Sequence, residues 1–174
     1  FLFGIPGTIG GAVYMNAGAF NEEILSYVHS IDTLDSQGKI RTLYNKDLKF
    51  RYRFSGIDKS LLITSVIFKN YQKKFEENLL ENLNSKRKSS QPVNQLSCGC
   101  IFKNPENNYA SKLIEDANLK GMRVGGVYIS NKHSNYFIND GSFIKMAYFV
   151  TGLTKLTMSI SCTPICLFFV FLIV

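Results

Sequence analysis

The chain is poor in the groupings that would hold a metal ion. Its two histidines, His29 and His133, lie far apart, and its four cysteines fall as Cys98-Gly99-Cys100 and Cys162-x-x-x-Cys166, neither of them the spacing of a zinc knuckle. A metal site is not expected. The two common nucleotide loops are missing as well: no G-x-G-x-x-G follows a strand, and no Gly-Lys-Ser/Thr closes a P-loop. No initiating methionine and no signal peptide open the sequence. The thiols are therefore expected to be reduced, the compartment cytoplasmic, and the chain a piece of a longer one. No internal repeat or low-complexity segment is present, and no basic run is interleaved with aromatics as a single-strand nucleic-acid binder requires.

The formal net charge of +7 would suit nucleic acid, an acidic membrane or phosphorylated small molecules. Its placement decides among them. Lys69, Lys73, Lys74, Lys86, Arg87 and Lys88 are interspersed with Glu76, Glu77 and Glu81, the mixture of a solvated helix face. A nucleic-acid partner is not expected. With 174 residues, 45% of them hydrophobic, the chain can build one domain or two small ones.

The most distinctive stretch is Gly4-Ile5-Pro6-Gly7-Thr8-Ile9-Gly10-Gly11, followed by Ala12-Val13-Tyr14-Met15-Asn16-Ala17-Gly18-Ala19. Glycine permits left-handed backbone angles and close approach to a bulky ligand, and successive unhindered N–H groups form a concavity suited to phosphate. A helix starting at Gly10 or Gly11 would add its positive end. The same composition also suits a tight turn feeding a buried helix of small residues.

Beyond it, residues 27–44 read as a hairpin about the turn Asp35-Ser36-Gln37-Gly38, and the apolar run Leu61 to Lys69 as a buried strand. Tyr71, Phe75, Leu79, Leu80 and Leu83 have helical spacing to about Asn84, with Lys73 and Glu77 a possible i,i+4 pair. Ser85 to Gln95, polar and carrying Pro92, reads as a linker. A second dense region runs from Ser97 to Asp140: a helix capped by Asn107 or Asn108, bearing Tyr109, Leu113, Ile114 and Ala117 and stopped at Gly121, then strands over Val124 to Ile129 and Tyr136 to Ile138. Helix and strand alternate without a regular βαβ rhythm, so the fold class is α+β. From Leu156 to Val174 no residue is charged, nearly the length of a membrane span, although Ser159, Ser161, Thr163 and Pro164 dilute the first half.

Two further groups carry candidate chemistry. In Ser97-Cys98-Gly99-Cys100-Ile101-Phe102-Lys103-Asn104-Pro105, two thiols near an ammonium could expose an acid or nucleophile, but cysteine is also a common small buried residue. Arg51-Tyr52-Arg53 reads as the basic, aromatic end of a surface loop.

Gly4 to Ala19 resembles the flavin loop of the UDP-N-acetylenolpyruvoylglucosamine reductases (MurB), G-x-P-G-x-x-G-G-A followed by x-x-N-x-G-A. Tyr52-Arg53-Phe54-Ser55 is similar to the family's Y-R-x-S, and Cys98 to Pro105 to its [AC]-G-S-x-F-K-N-P. Ala110-x-x-Leu113-Ile114-Glu115, Leu119-Lys120-Gly121 and Gly125-Gly126 through His133-x-Asn135 to Asn139 also fit the family's pattern, in the family's order. The resemblance implies the second part of an FAD-binding (PCMH-like) domain over residues 1–70, a helix and linker over 71–95, a smaller α+β substrate-binding reductase domain over 96–145, and a divergent apolar tail over 146–174. It implies FAD held by Gly4, Pro6, Gly7, Thr8, Gly10, Gly11, Asn16 and Gly18, with NADPH as hydride donor. UDP-N-acetylglucosamine enolpyruvate would be reduced to UDP-N-acetylmuramate for peptidoglycan precursor synthesis. By the same carry-over Arg53 steadies the enolate, Cys100 stands where the family's proton-donating Ser stands, and Tyr52, Lys103 and Asn104 meet the UDP-sugar, with His133 structural or pocket-lining. A thiol, with a usual pKa of about 8.5, yields a proton far more readily than a hydroxyl.

The departures from the pattern are specific. Only three residues precede the loop, where the family carries an upstream flavin lobe, and no acidic residue follows Asp140 to stand for the family's C-terminal Glu, so both are expected to be absent. A second reading follows from them: a truncated, catalytically silent remnant, membrane-associated through its tail.

Overall fold

The computed structural model describes residues 1–70, 76 and 78–141. The chain divides into two compact units, one of residues 1–84 and one beginning at Ser85. The expectations for Tyr71 and Phe75, the Lys73–Glu77 pair, Cys162, Cys166 and the apolar tail lie outside the described residues.

In the first unit a six-residue helix, α1 (Ile9–Tyr14), is followed by the short antiparallel pair β1 (Gly18–Ala19) and β2 (Glu22–Glu23). The three-stranded antiparallel sheet comes next: β3 (Val28–Leu34), β4 (Ile40–Tyr44) and β5 (Leu62–Phe68), in the order β4-β3-β5. The expected hairpin forms, pairing Ser30 with Tyr44 and Leu34 with Ile40. Its turn closes because the Asp35 carboxylate accepts from the N–H groups of Gln37 and Lys39 while Gly38 takes φ +80°. On the central strand, Asp32 accepts from the hydroxyls of Thr42 and Ser65, both at 2.7 Å, so one carboxylate ties all three strands and is held below its ordinary pKa by those bonds.

The core of this unit comprises Val13, Ile24, Leu25, Val28, Ile31 and Ile57, with Ala12, Ile63 and Val66 packed on it. β5 departs from expectation. It forms a strand but is not buried: Leu62 is 65% exposed and Ile67 53%, and only Ile63 and Val66 lean on the core. An edge strand has neighbours on one side only, so a continuous apolar run does not by itself ensure burial.

A second helix, α2 (Leu79–Ser90), runs through the polar stretch read as a linker and stops before Pro92. Ser85-Lys86-Arg87-Lys88 are adequate helix formers, so polarity there does not by itself mark a loop. The boundary between the units falls inside this helix.

The second unit contains α3 (Ala110–Asp116) and a small antiparallel sheet of β6 (Arg123–Val124), β7 (Val127–Ile129) and β8 (Phe137–Asn139), in that order. The single strand expected over Val124 to Ile129 is in fact a hairpin, since Gly125 takes φ +60° and reverses the chain. α3 also differs. Its N-cap is Tyr109, 66% exposed, and the helix ends at Asp116, with Asn118 at φ +55° terminating it ahead of Gly121. Ile101, Phe102, Ala110, Ile114, Val127, Ile129 and Phe137 form the core, with the Phe102 and Phe137 rings edge to face at 6.1 Å. Each such large apolar side chain contributes about 1.5–3 kcal/mol on burial. The two units are α+β in composition, each with its own core.

Candidate active site

Gly4 to Ile9 form an exposed turn at the start of the first unit. Gly4 and Gly7 take φ +78° and +143°, and no atom lies within 4 Å of where a Gly7 Cβ would stand. Thr8 caps α1, its hydroxyl accepting from the Gly11 N–H at 3.1 Å. The N–H groups of Gly7, Thr8, Ile9 and Gly10 make no hydrogen bond among the described residues. Part of this follows from helix geometry, which gives first-turn donors no internal partner. The turn offers a run of backbone donors to an anion. Because α1 spans only six residues, its dipole adds little, and the donors themselves carry the attraction.

At the other end of the loop the side chains serve the fold. Asn16 is fully buried at φ +46°; its amide donates to Glu23 Oε2 at 2.8 Å and to the Arg51 carbonyl at 3.0 Å, and its Oδ1 accepts from the Leu25 N–H at 3.3 Å. The Asn16 side chain is thereby turned inward, and it links the loop to the turn that begins at Arg51. Gly18 is required for space: an added Cβ would collide with the Glu22 carbonyl oxygen and lie 3.1 Å from Arg53 Nη1.

Arg53 meets the loop at this point. Arg51 and Phe54 exchange backbone hydrogen bonds of 2.9 Å, closing a two-residue turn with Tyr52 and Arg53 at its tip. Arg53 sits at φ +53°, a conformation that costs a non-glycine residue about 1–2 kcal/mol. The guanidinium offsets this by donating to the carbonyls of Asn16 at 3.3 Å and Gly18 at 2.5 Å, and it lies 4.9 Å from the centroid of the Tyr52 ring. Tyr52 is 44% exposed beside it. The structure therefore lays the Arg53 side chain, with Tyr52 beside it, on the backbone of Asn16 and Gly18, residues distant from it in sequence.

In the second unit, Cys98 is exposed and Cys100 half-buried on either side of Gly99, which takes φ +83°. The turn is clamped from β8's approach. The Asn135 amide accepts from the Phe102 N–H at 2.9 Å and donates to the Phe102 carbonyl at 2.8 Å, while the Ile101 N–H donates to the Asn135 carbonyl at 2.9 Å. Cys100 itself forms a β-bridge with Tyr136. Lys103 and Asn104 follow, both half-buried, and Asn104 Oδ1 accepts from the Ala110 N–H at 3.1 Å. That bond caps α3, the task expected of Asn107 or Asn108.

Two residues around Cys100, Tyr136 and Arg87, escaped the sequence reading, and His133, expected to be structural or pocket-lining, packs beside them. The bridge sets the Tyr136 side chain on the same face as the Cys100 thiol; burial first, then the nearby sulfurs, pushes the phenol's ionisation well above the ordinary tyrosine value. Arg87, grouped by sequence with the solvated cations, is only 6% exposed and acts electrostatically on the same phenol. His133 lies against the Tyr136 ring, centroids 4.8 Å apart, and burial lowers its pKa. A lone Arg preceding a Gln four residues later, joined here by a long Nη1 to Oε1 contact of 3.5 Å, was the available signal for Arg87. Among the described residues no group of three or more His, Cys, Asp or Glu side chains could hold a metal. No helix among them is long and apolar enough to cross a membrane.

Comparison with known proteins gives a consistent result. Residues 91–150 match the family model described as UDP-N-acetylenolpyruvoylglucosamine reductase, C-terminal domain. The chain is 42% identical over 142 residues to a protein of that name from Chlamydia felis, covering 81% of this chain and 48% of that one. It is 42% identical over 145 residues to the protein of the same name from Caldanaerobacter subterraneus, covering 82% and 48%. The crystal structure of the reductase (MurB) from Thermus caldophilus superposes with a TM-score of 0.80 at 30% identity, over 94% of this chain and 60% of that one. The chain thus spans about half the length of these sequence relatives. Sequence and fold are held in common with these proteins along most of this chain, and the chain belongs to the UDP-N-acetylenolpyruvoylglucosamine reductase family.

Proposed function

We propose that the chain carries the machinery of an FAD-dependent, NADPH-using reductase that converts UDP-N-acetylglucosamine enolpyruvate to UDP-N-acetylmuramate in peptidoglycan precursor synthesis, in the cytoplasm. The observation that carries the reading is the Arg53 guanidinium lodged on the carbonyls of Asn16 and Gly18. It joins the candidate charge-stabilising side chain to the end of the candidate cofactor loop.

The residues of the turn suit a dinucleotide. Gly4, Pro6, Gly7, Thr8, Gly10 and Gly11 would hold FAD, with the backbone donors of Gly7 to Gly10 toward its pyrophosphate and open space in front of Gly7. Asn16 and Gly18 would support the loop from behind. When bound, FAD supplies the hydride, having itself been reduced by NADPH.

The other roles belong to side chains. As the enolpyruvyl double bond is reduced, negative charge builds toward its carboxylate as an enolate, and Arg53 stabilises it. A guanidinium has five donors and does not lose its proton, so it can hold two backbone carbonyls and still serve an oxyanion. Cys100 gives its thiol proton to the carbon adjacent to the one that receives hydride, and is left as a thiolate. Tyr52, Lys103 and Asn104 contact the UDP-sugar; the α3 cap fixes the plane of the Asn104 amide.

The test is cofactor retention. Protein purified, stripped and reconstituted with FAD should stay yellow through desalting. Material that remains colourless would overturn the flavoenzyme and leave the silent remnant as the surviving reading.

A further inference from the structure

We propose that Tyr136 is a positioning residue for the Cys100 thiol, its phenolic O–H donating to the sulfur so that the thiolate left after proton transfer is stabilised. The inference rests on the reading of Cys100 as proton donor.

The placement is over-determined. Cys100 and Tyr136 are partners in an antiparallel bridge, which puts their side chains on one face. The Tyr136 backbone is held on both sides: its N–H donates to the His133 carbonyl and its carbonyl accepts from the Ser130 N–H, each at 2.9 Å. The ring is braced by the His133 imidazole at 4.8 Å, with the planes inclined at 64°. The hydroxyl is thus delivered to the side of the Cys100 thiol by backbone register and ring packing together.

The chemistry suits a donor. The phenol is half-buried and its ionisation is pushed up, so it stays protonated wherever a thiol titrates. A hydrogen bond to an ionised acceptor is about twice as strong as one between neutral groups, so the contact favours the thiolate over the thiol. The other groups about the phenol are Cys98 in the same turn, Arg87 from α2 and His133, which itself feels Glu115 and Lys120. Arg87 favours a thiolate as well; Cys98, if ionised, opposes it.

The experiment reads the thiol directly and needs no turnover. In a Cys98→Ser background, the rate at which iodoacetamide alkylates Cys100 is followed against pH by mass spectrometry of the peptide that carries it. Tyr136→Phe keeps the ring and removes the hydroxyl. The midpoint of the profile should rise by about one pH unit and the rate at pH 7 fall about tenfold. Incorporating 3-fluorotyrosine at position 136, which acidifies the phenol at almost no steric cost, should move the midpoint down instead, and keeps the test available if the Phe variant does not fold. Unchanged profiles in both variants would overturn the proposal and leave the donor role of Cys100 untouched. That role is judged separately by the half-reactions of Cys100→Ala.

Discussion

Arg53 reaches across 35 residues of sequence to donate to the carbonyl oxygen of Gly18, at a spot where any side chain on residue 18 would crowd its Nη1. The glycine and the arginine are thus one structural feature. The glycine supplies the space, and the arginine accepts a left-handed backbone to fill it.

Gly18→Ala should be among the more damaging single-methyl additions in the first unit. Gly18 does not need a positive φ; the conflict is with the Glu22 carbonyl. Backbone must shift, at a cost of about 2 kcal/mol or more. The midpoint of urea unfolding measures this, and FAD retention should fall with it.

Arg53→Lys replaces a fork by a point charge. One ammonium cannot reproduce both carbonyl contacts, and the left-handed backbone remains to be accommodated. A loss of about 1–2 kcal/mol in stability is expected. Arg53→Gly relieves the backbone while removing the same bonds, so it should be the more stable of the two and equally poor in substrate reduction.

Cys100→Ala separates the two half-reactions. Reduction of bound FAD by NADPH, followed anaerobically by stopped-flow absorbance, should proceed as in the parent, while substrate reduction slows by about a hundredfold or more. An equal loss in both steps would remove the thiol from the role of acid.

Asn135→Ala should unfasten the thiol turn. The side-chain amide satisfies both the N–H and the carbonyl of buried Phe102, and truncation leaves two buried polar groups without those bonds. At about 1–3 kcal/mol for each orphaned group, a loss of about 3 kcal/mol is expected by chemical denaturation.

His133 makes stability depend on mild acid. Burial lowers its folded pKa below the ordinary 6.5, opposed by attraction to Glu115 and reinforced by Lys120. The folded state then binds fewer protons than the unfolded one, so the contribution is full above 6.5 and is lost as pH falls through the lower folded value. Urea midpoints taken downward from pH 7.5 should decline in that window, and His133→Gln should flatten that part of the decline.

Much of the local structure is legible in the residues. The hairpin of β3 and β4 follows from two β-tending runs about the turn residues Asp35 to Gly38, and the open turn at Gly4 to Gly7 from glycines that take positive φ. The hairpin inside Val124 to Ile129 was within reach too, since Gly125-Gly126 is a turn signal, but the apolar residues on either side masked it. The exposure of β5 was not, because neighbours in the sheet and not the composition of a strand decide what it buries.

What the amino-acid order alone determined is what acts within a few residues: turn chemistry, helix and strand spacing, and the motif residues that carry the family likeness. Tertiary structure decided the rest. It set Asn16 inward on Arg51 and Glu23, laid Arg53 on Gly18, buried Arg87 and brought Tyr136 to Cys100. The Asn16–Arg51, Arg53–Gly18 and Cys100–Tyr136 pairings join segments distant in sequence, set by backbone register and by which polar atoms had to be satisfied on burial, and no local periodicity records such a pairing.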